Sequence, residues 1–370
     1  MAQRTSSSAL ILLLICLVQR CATCADGKVA DVTSSSHRAD WMAQGTHGVM
    51  VHYLITPKGH SAEEKAADFN RTIDGFDLNH FMKQFEESGA DWLIFTIGQN
   101  TGYYNSPNPA LEEMLPGRTP RRDLVMEIAR RVKDRGKRFI VYLPVEVSGQ
   151  APDVQSALAW DPGDQKQFLR RYLEFVRAYS VRLGKLHDGW WFDGCYDHIH
   201  QGKWNWQDWI DAARAGNPDA IVAFNDGAFC VGRVKALTPL QDYHAGEVHL
   251  LWHGQIVNDF VPTADDLSVT DDGRLLVRGN DARLYMPASR FVDGVQWHAL
   301  VPIDSTFNPA VPADRCHYSD EELIGFVLAC REVGGAVTLN APIDAQGHIP
   351  ETTAAQLKRI GTAIAKSGER

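Results

Sequence analysis

Short apolar segments alternate with amphipathic segments along most of this chain, and that alternation restricts its fold more than any other feature. Leu124, Ile128, Ala129 and Val132, for example, have the spacing of one buried helical stripe. Alternating strands and helices favour a parallel sheet covered by helices. We predict strands over 48–55, 91–97, 138–145, 189–192, 221–224, 294–301 and 336–340, a weaker one over 239–243, and helices over 78–88, 121–135, 164–184, 320–332 and 352–366.

Seven or eight such βα units in a chain of 370 residues favour an α/β fold of the (β/α)8 TIM-barrel type, in a regular or an irregular form. A dinucleotide-binding sheet is disfavoured, because no Gly-x-Gly-x-x-Gly follows the first strand. The stretch 267–285, centred on Asp271-Asp272-Gly273, predicts a β-hairpin inserted in the barrel.

The first residues are typical of a secretory signal peptide. Arg4 precedes an apolar run over 9–18, and small residues follow up to Ala25. A membrane anchor is the alternative, but the run is short for a bilayer, and we expect no stable membrane span. The sequence therefore predicts a signal peptide over 1–25, one catalytic barrel domain over 26–370, and a secreted or periplasmic protein.

Charge and cysteine content narrow the function further. A formal net charge of −9 disfavours nucleic-acid binding, which requires a basic face. Cys316 and Cys330 could pair in an oxidising compartment, although sequence alone does not decide this. The sequon Asn70-Arg71-Thr72 matters only in an organism that glycosylates asparagine.

Catalytic side chains of a barrel of this type lie where strands end and the following loops begin. Several carboxylates at that edge favour acid–base chemistry, because an unused buried carboxylate carries a desolvation cost. Nearby aromatic residues favour a sugar as substrate. The polar residues predicted at these positions are His52, Glu146, Asp193, Asn225, Asp226, Asp242, Glu247, His298 and Asn340.

The segment Gly-Trp-Trp-Phe-Asp193-Gly is the most informative of these. Its apolar strand brings one carboxylate to the edge, where glycosyl transfer needs a nucleophile. Trp191 would point to the same side of the strand and pack on a sugar ring. The alternative is that Asp193 caps the helix that follows.

Other constellations give weaker hypotheses. Asp197-His198-Ile-His200 suggests a metal, but zinc needs a third protein ligand, and solvent-facing loop histidines explain the pattern better. Cys195 beside a carboxylate is a poor nucleophile, because its thiol pKa would be raised. We therefore expect no metal and no other cofactor. Trp204, Trp206 and Trp209 could either stack on sugars or fill the outer layer of the barrel, with at least one of the first two exposed or in a loop.

Four segments, taken in order, carry a family resemblance: Gly48-Val-Met-Val-His52-Tyr, Trp-Trp-Phe-Asp193-Gly, Gln241-Asp-Tyr-His-Ala-Gly-Glu247 and Leu339-Asn-Ala-Pro-Ile-Asp-Ala-Gln-Gly-His-Ile-Pro350. Over most of residues 40–350 the chain resembles glycoside hydrolase family 29, the α-L-fucosidases. The resemblance implies a retaining exo-glycosidase that acts on glycans or glycoconjugates.

The same resemblance implies roles for individual residues. Asp193 would be the nucleophile and Glu247 the acid/base, with their carboxyl groups about 5–5.5 Å apart. Glu146 is the alternative acid/base, or a carboxylate paired with an arginine. The side chains expected to bind substrate are His52, Gln99, Tyr103, Trp191, Asn225 and His298.

The chain also departs from the family pattern. Thr96-Ile-Gly-Gln-Asn-Thr-Gly-Tyr-Tyr104 stands where the family has the paired histidines that bind fucose, and Asn225-Asp226-Gly227 lacks the family's arginine. No segment resembling the family's C-terminal β-sandwich follows the barrel. Two alternatives therefore stay open: a glycosidase of this fold that acts on a different sugar, and a carbohydrate-binding barrel without activity.

Overall fold

The computed structural model describes residues 37–227, 229–230, 236–250, 267–269, 275–277, 289–303 and 318–368. The predicted signal peptide lies outside these residues. The strands, in chain order, are β1 (Gly48–Val51), β2 (Trp92–Thr96), β3 (Arg138–Pro144), β4 (Gly189–Asp193), β5 (Ile221–Phe224), β6 (Phe229–Cys230), β7 (Val248–Leu250), β8 (Leu267–Val269), β9 (Leu275–Val277), β10 (Phe291–Val292), β11 (Val295–Gln296), β12 (His298–Pro302) and β13 (Ala336–Ala341).

Helices separate the long strands, as the sequence pattern predicts. Two of them, α2 and α10, begin with a capping box in which a serine and a glutamate satisfy each other's backbone N–H groups. The helices are α1 (Asp40–Gln44), α2 (Ala62–Asp74), α3 (Leu78–Glu87), α4 (Pro109–Met114), α5 (Leu124–Lys133), α6 (Pro152–Ala157), α7 (Lys166–Leu183), α8 (Asp197–His200), α9 (Trp206–Ala213), α10 (Asp320–Glu332) and α11 (Glu351–Gly368), with a 3₁₀ turn at Gly184–Leu186.

Seven parallel strands form one curled sheet in the order β12-β13-β1-β2-β3-β4-β5. This confirms the predicted α/β barrel class and the seven main strands. The antiparallel pair β8–β9 confirms the inserted hairpin, of which 270–274 and 278–285 lie outside the described residues. The strand predicted over 294–301 is displaced, because β12 begins only at His298.

The segment 242–247 joins the two ends of this sheet. At β5, Asp242 N donates to Val222 O at 2.9 Å. At β12, Leu300 N donates to the Gly246 carbonyl at 2.8 Å, and Glu247 forms a parallel bridge with Leu300. This segment therefore takes the place of an eighth strand without being a regular one, which is the irregular form of the barrel.

The strands alternate side chains between two apolar layers. One layer packs between sheet and helices and includes Phe95, Val141 and Phe192. The other lies inside the curled sheet and includes Ile94 and Tyr142. Since successive residues of a strand point to opposite faces, every second residue continues the inner layer toward the C-terminal edge. This alternation decides which polar residues meet there.

Three further sequence features have a structural outcome. Asn70 lies inside α2, so this sequon is helical; its amide nitrogen donates to Ala66 O of the same helix, and its amide oxygen accepts from Arg121 N, which precedes α5. Cys330 is buried in α10, whereas Cys316 lies outside the described residues, and their pairing stays a prediction. None of the helices in the described ranges is both long and apolar enough to cross a membrane.

Candidate active site

Five inward-facing polar residues meet at the C-terminal edge of the sheet. His52 follows β1, Asp193 ends β4 and Asn225 follows β5. Glu247 ends the joining segment, and Asn340 is the last residue but one of β13. Each lies an even number of positions from an inner-layer residue of its own segment, such as Trp191 before Asp193, so the pleat turns all five side chains to the inner face.

The Asp193 carboxylate accepts hydrogen bonds on both oxygens. Oδ1 accepts from Gly194 N and from Asn225 Nδ2, each at 2.8 Å. Oδ2 accepts from the hydroxyl of Tyr142 and, at 3.5 Å, from Gln99 Nε2. Four hydrogen-bond donors therefore converge on this carboxylate. Helix α8 has Tyr196 as its N-cap residue, so the alternative in which Asp193 caps this helix is wrong.

Gly194 allows β3 and β4 to end side by side. Its φ is +75°, and a β-carbon at this position would lie 2.6 Å from the β-carbon of Glu146. Only glycine fits this combination of backbone angle and contact. Glu146 is thereby held next to the end of β4, where Ser148 Oγ donates to its Oε1 at 3.1 Å. Within the described ranges no arginine pairs with Glu146.

Glu247 lies beside Asp193 with a different electrostatic environment. Burial, and then the negative charge of Asp193, raise the pKa of the Glu247 carboxyl to about 8. Asn225 Nδ2 donates to Glu247 Oε2 as well as to Asp193 Oδ1. Two hydrogen bonds to one nitrogen keep these two oxygens within about 6 Å of each other. An inverting pair needs about 6.5–9.5 Å between its carboxyl groups, and a retaining pair about 5–5.5 Å.

Asn340 holds the imidazole of His52 beside the ring of Tyr142. Its Nδ1 is 2.8 Å from Asn340 Oδ1, and its ring meets the Tyr142 ring edge-on at 5.1 Å between centroids. Burial lowers the pKa of His52, which favours the neutral ring. An amide oxygen only accepts, so we assign the hydrogen of neutral His52 to Nδ1.

Trp191 and Tyr142 have roles that the sequence did not indicate. Trp191 shares the inner face with Asp193 but lies one level lower, 1% exposed, so it does not line an open sugar pocket. It stacks on Tyr142 at 5.1 Å between centroids, and Tyr142 reaches up to Asp193. Sequence reasoning missed Tyr142. The available signal was its position, because it precedes the end of β3 by two residues, as Trp191 precedes the end of β4.

The structure places His298 away from the site. It is the first residue of β12, at the N-terminal end of the sheet, where Nε2 lies 2.7 Å from Thr338 Oγ1 and Nδ1 lies 2.9 Å from His244 O. The prediction put it at the wrong end because the strand starts four residues later than expected. Asp242 is likewise at that end, bonded to Arg214 and to Val222 N.

Tyr103 and Gln99 follow β2 but separate from each other. Gln99 reaches Asp193, at the outer limit of a hydrogen bond. Tyr103 instead packs against Phe69 and under the guanidinium of Arg118, in the layer between sheet and helices. Of the predicted substrate-binding residues, the structure therefore brings His52, Gln99 and Asn225 together with the two carboxylates.

The segment after Asp193 is a helical turn rather than the expected loop. In α8, His198 is exposed and stacks on Tyr196, whereas His200 is buried against Trp204 and Trp206. The two imidazoles thus have different surroundings. Across the described residues, no group of three or more His, Cys, Asp or Glu side chains is arranged to hold a metal ion.

The neighbouring aromatic residues belong mainly to the core. Trp204 stacks on the buried Trp209, and Trp206 is half-buried against Phe224. These contacts favour packing over sugar binding for this group.

Cys195 is also buried, and burial raises the pKa of its thiol, which agrees with a structural cysteine.

Comparison with known proteins identifies a family for this chain. The model of the alpha-L-fucosidase family matches residues 29–250. No curated protein sequence matches. Among solved structures, an endo-fucoidan hydrolase from glycoside hydrolase family 107 superposes with a TM-score of 0.60 at 18% identity, covering 88% of this chain but 53% of its own. Thus the chain spans about half the length of that protein.

Two solved α-L-fucosidases are also similar in fold. Isoenzyme 1 from Paenibacillus thiaminolyticus has a TM-score of 0.58 at 17% identity, with 90% of this chain and 76% of that chain covered. The enzyme AlfC from Lactobacillus casei, in complex with α-L-fucose product, has a TM-score of 0.53 at 15% identity, covering 90% and 99%. With a family model matched over more than half of its length, this chain belongs to the alpha-L-fucosidase family.

Proposed function

We propose that this protein is a retaining exo-glycosidase that removes a terminal α-L-fucosyl or closely related sugar from glycans. The observation that carries the proposal is the pairing of Asp193 with Glu247 through one amide nitrogen. The Asp193 carboxylate accepts hydrogen bonds from four donors, and the Glu247 carboxyl has its pKa raised to about 8. A glycosidase needs this difference between nucleophile and acid.

In the first step, an oxygen of Asp193 attacks the anomeric carbon while the glycosidic C–O bond breaks. The leaving oxygen takes the proton of Glu247, so that Asp193 becomes a neutral ester and Glu247 a carboxylate. In the second step, Glu247 takes a proton from water, the water oxygen attacks the anomeric carbon, and the bond to Asp193 breaks. The anomeric configuration is retained after two inversions.

The proposal for the sugar is based on the family and on the polar residues around the pair. His52 and Gln99 are half-buried beside Asp193, where they can hydrogen-bond the hydroxyls of a bound sugar. The Gln99 Oε1 atom is buried without a hydrogen-bond partner in the part of the chain that the structure describes. Because the donors and acceptors of this site differ from the family pattern, fucose should be tested against other sugars.

Secretion belongs to the same proposal, on the signal-peptide pattern of residues 1–25. A secreted glycosidase would meet its glycans outside the cell or in the periplasm. N-terminal sequencing of the protein recovered from culture medium or periplasm would test this, with a first residue after Ala25 as the expected result. Recovery of the full chain with its intact N-terminus would contradict it.

A panel of nitrophenyl glycosides tests the activity, with α-L-fucoside, α- and β-galactoside and arabinoside side by side. Asp193→Asn should lower turnover by at least ~10³-fold while ligand binding persists. Asp188→Asn is the matched control, because it also removes a carboxylate at β4 but lies about 16 Å away, paired with Lys133 and Arg138. We expect this control to stay active below its unfolding temperature.

Three results would contradict the proposal, each in a different part. Release of no product from any glycoside, with sugar binding intact, would indicate a carbohydrate-binding barrel. A first product of inverted configuration, seen by NMR, would exclude the two-step mechanism. Full activity of Asp193→Asn would exclude Asp193 as the nucleophile.

A further inference from the structure

Both hydrogens of the Asn225 side-chain amide are used within the protein. Its Nδ2 donates one hydrogen to Asp193 Oδ1 and the other to Glu247 Oε2, and its Oδ1 lies 3.4 Å from Gly227 N. The residue is 1% exposed. These contacts favour a role for Asn225 toward the two carboxyl groups, while its binding of the sugar stays a prediction.

The backbone of Asn225 is fixed as firmly as its side chain. Asn225 N donates to Phe192 O at 2.8 Å, and Cys195 N donates to the Asn225 carbonyl at 2.7 Å. Both bonds connect it to the end of β4, on either side of Asp193. The amide is therefore rigidly placed relative to the nucleophile, and the position of Glu247 is set by the same amide.

We propose, on the basis of the proposed function, that Asn225 is a positioning residue that hydrogen-bonds whichever of Asp193 and Glu247 carries the negative charge. In the first step the charge leaves Asp193 as its ester forms and appears on Glu247 as its proton passes to the leaving oxygen. In the second step the charge returns to Asp193. A donor to both groups keeps a charged acceptor throughout and holds the two carboxyl groups at the spacing that both steps need.

This role differs from that of a donor to Asp193 alone. Tyr142 donates only to the nucleophile, so its bond weakens while the ester forms and strengthens when the carboxylate returns. Asn225 has a charged acceptor in both steps and holds the two carboxyl groups in place for each of them. Its removal should therefore slow both steps, whereas removal of the Tyr142 hydroxyl should slow mainly the second.

Kinetics of Asn225→Ala give the first test. We expect kcat and kcat/KM to fall together, each by about 10- to 100-fold, with KM changed less than about threefold. Asn217→Ala is the matched control, since it removes a buried amide bonded to His187 O and Lys185 at the opposite end of β4. It should leave both constants unchanged. A rise in KM with unchanged kcat in Asn225→Ala would show a substrate contact and overturn the proposal.

A titration that needs no turnover gives the second test. The Asn225 hydrogen bond opposes the rise in the pKa of Glu247, so its loss should move that pKa further up. Carboxyl ¹³C NMR of glutamate-labelled protein would show Glu247 titrating at higher pH in Asn225→Ala. Asn225→Leu, which has a similar size and loses the NH₂ group without adding a charge, should move it in the same direction if the alanine variant does not fold.

An unchanged Glu247 titration in folded variants would overturn the inference even if the wild type is active. A wild type without any glycosidase activity would contradict the proposed function, whereas the titration would still decide whether Asn225 acts on Glu247.

Discussion

The hydroxyl of Tyr142 donates a hydrogen bond to the carboxylate of Asp193, across the adjoining ends of β3 and β4. The ring of Tyr142 is fixed by its stack on Trp191 and its edge contact with His52. A donor held this rigidly stabilises the free carboxylate more than the ester that the proposed mechanism forms from it.

Tyr142→Phe should therefore affect the second chemical step more than the first. The hydrogen bond to a charged group is worth about 1.5–3 kcal/mol, which corresponds to a fall of about 10- to 100-fold in kcat, with a smaller fall in kcat/KM. A burst of nitrophenol before the steady state would report the accumulating ester. Tyr179→Phe, which loses a buried bond to Ser106 O, is the control. Equal falls in kcat and kcat/KM, without a burst, would contradict this reading.

The pH profile should show the raised pKa of Glu247. The first step needs Glu247 protonated, and its pKa of about 8 keeps it so at lower pH. We expect kcat/KM to stay constant up to about pH 8 and to fall about tenfold per pH unit above it. Glu247→Gln should abolish this basic limb when measured with an activated aryl glycoside. Loss of the limb in Glu146→Gln instead would assign the acid/base to Glu146.

Four buried histidines should make the fold sensitive to acid. Burial lowers the pKa of each to about 4, against 6.5 for an unperturbed imidazole. The unfolded chain therefore binds more protons between these values, so stability is complete above about pH 6.5 and is lost as the pH falls toward 4. Each contributes about 1.4 kcal/mol per pH unit in that window. The residues are His47, His187, His244 and His298.

Urea unfolding at pH 7, 6 and 5 would measure this loss. His47→Leu should reduce the slope by one histidine's share, whereas His198→Gln, at an exposed position, should leave it unchanged. A free energy of unfolding that is constant from pH 7 to pH 5 would contradict the prediction.

Gly48→Ala should destabilise the N-terminal end of the sheet. A β-carbon at Gly48 would overlap the indole of Trp92, whose Nε1 donates to Thr338 Oγ1 at 2.8 Å. We expect a loss of about 1–3 kcal/mol in the free energy of unfolding, because a packed interior cannot absorb the extra atom. Gly325→Ala in α10, with open space around the new carbon, should be neutral or stabilising by up to about 1 kcal/mol. Similar behaviour of the two variants would contradict this explanation.

Local pattern predicted most of what lies along the chain. Alternating apolar segments predicted the parallel sheet and its helices, and Asp271-Asp272-Gly273 predicted the hairpin. The same alternation brought Asp193 to the C-terminal edge, because a strand delivers its last residue there whatever its neighbours are. Position along one strand is a local property, so the sequence alone determined it.

Distances between strands were decided only by the tertiary structure. The sequence placed Trp191 on the correct face but did not show that Tyr142 would cover it, since that depends on the register of β3 against β4. It put His298 at the wrong end, because the start of β12 is set by pairing with β13. The shared contact of Asn225 with two carboxylates joins residues from three segments, and only the closure of the sheet brings those segments together.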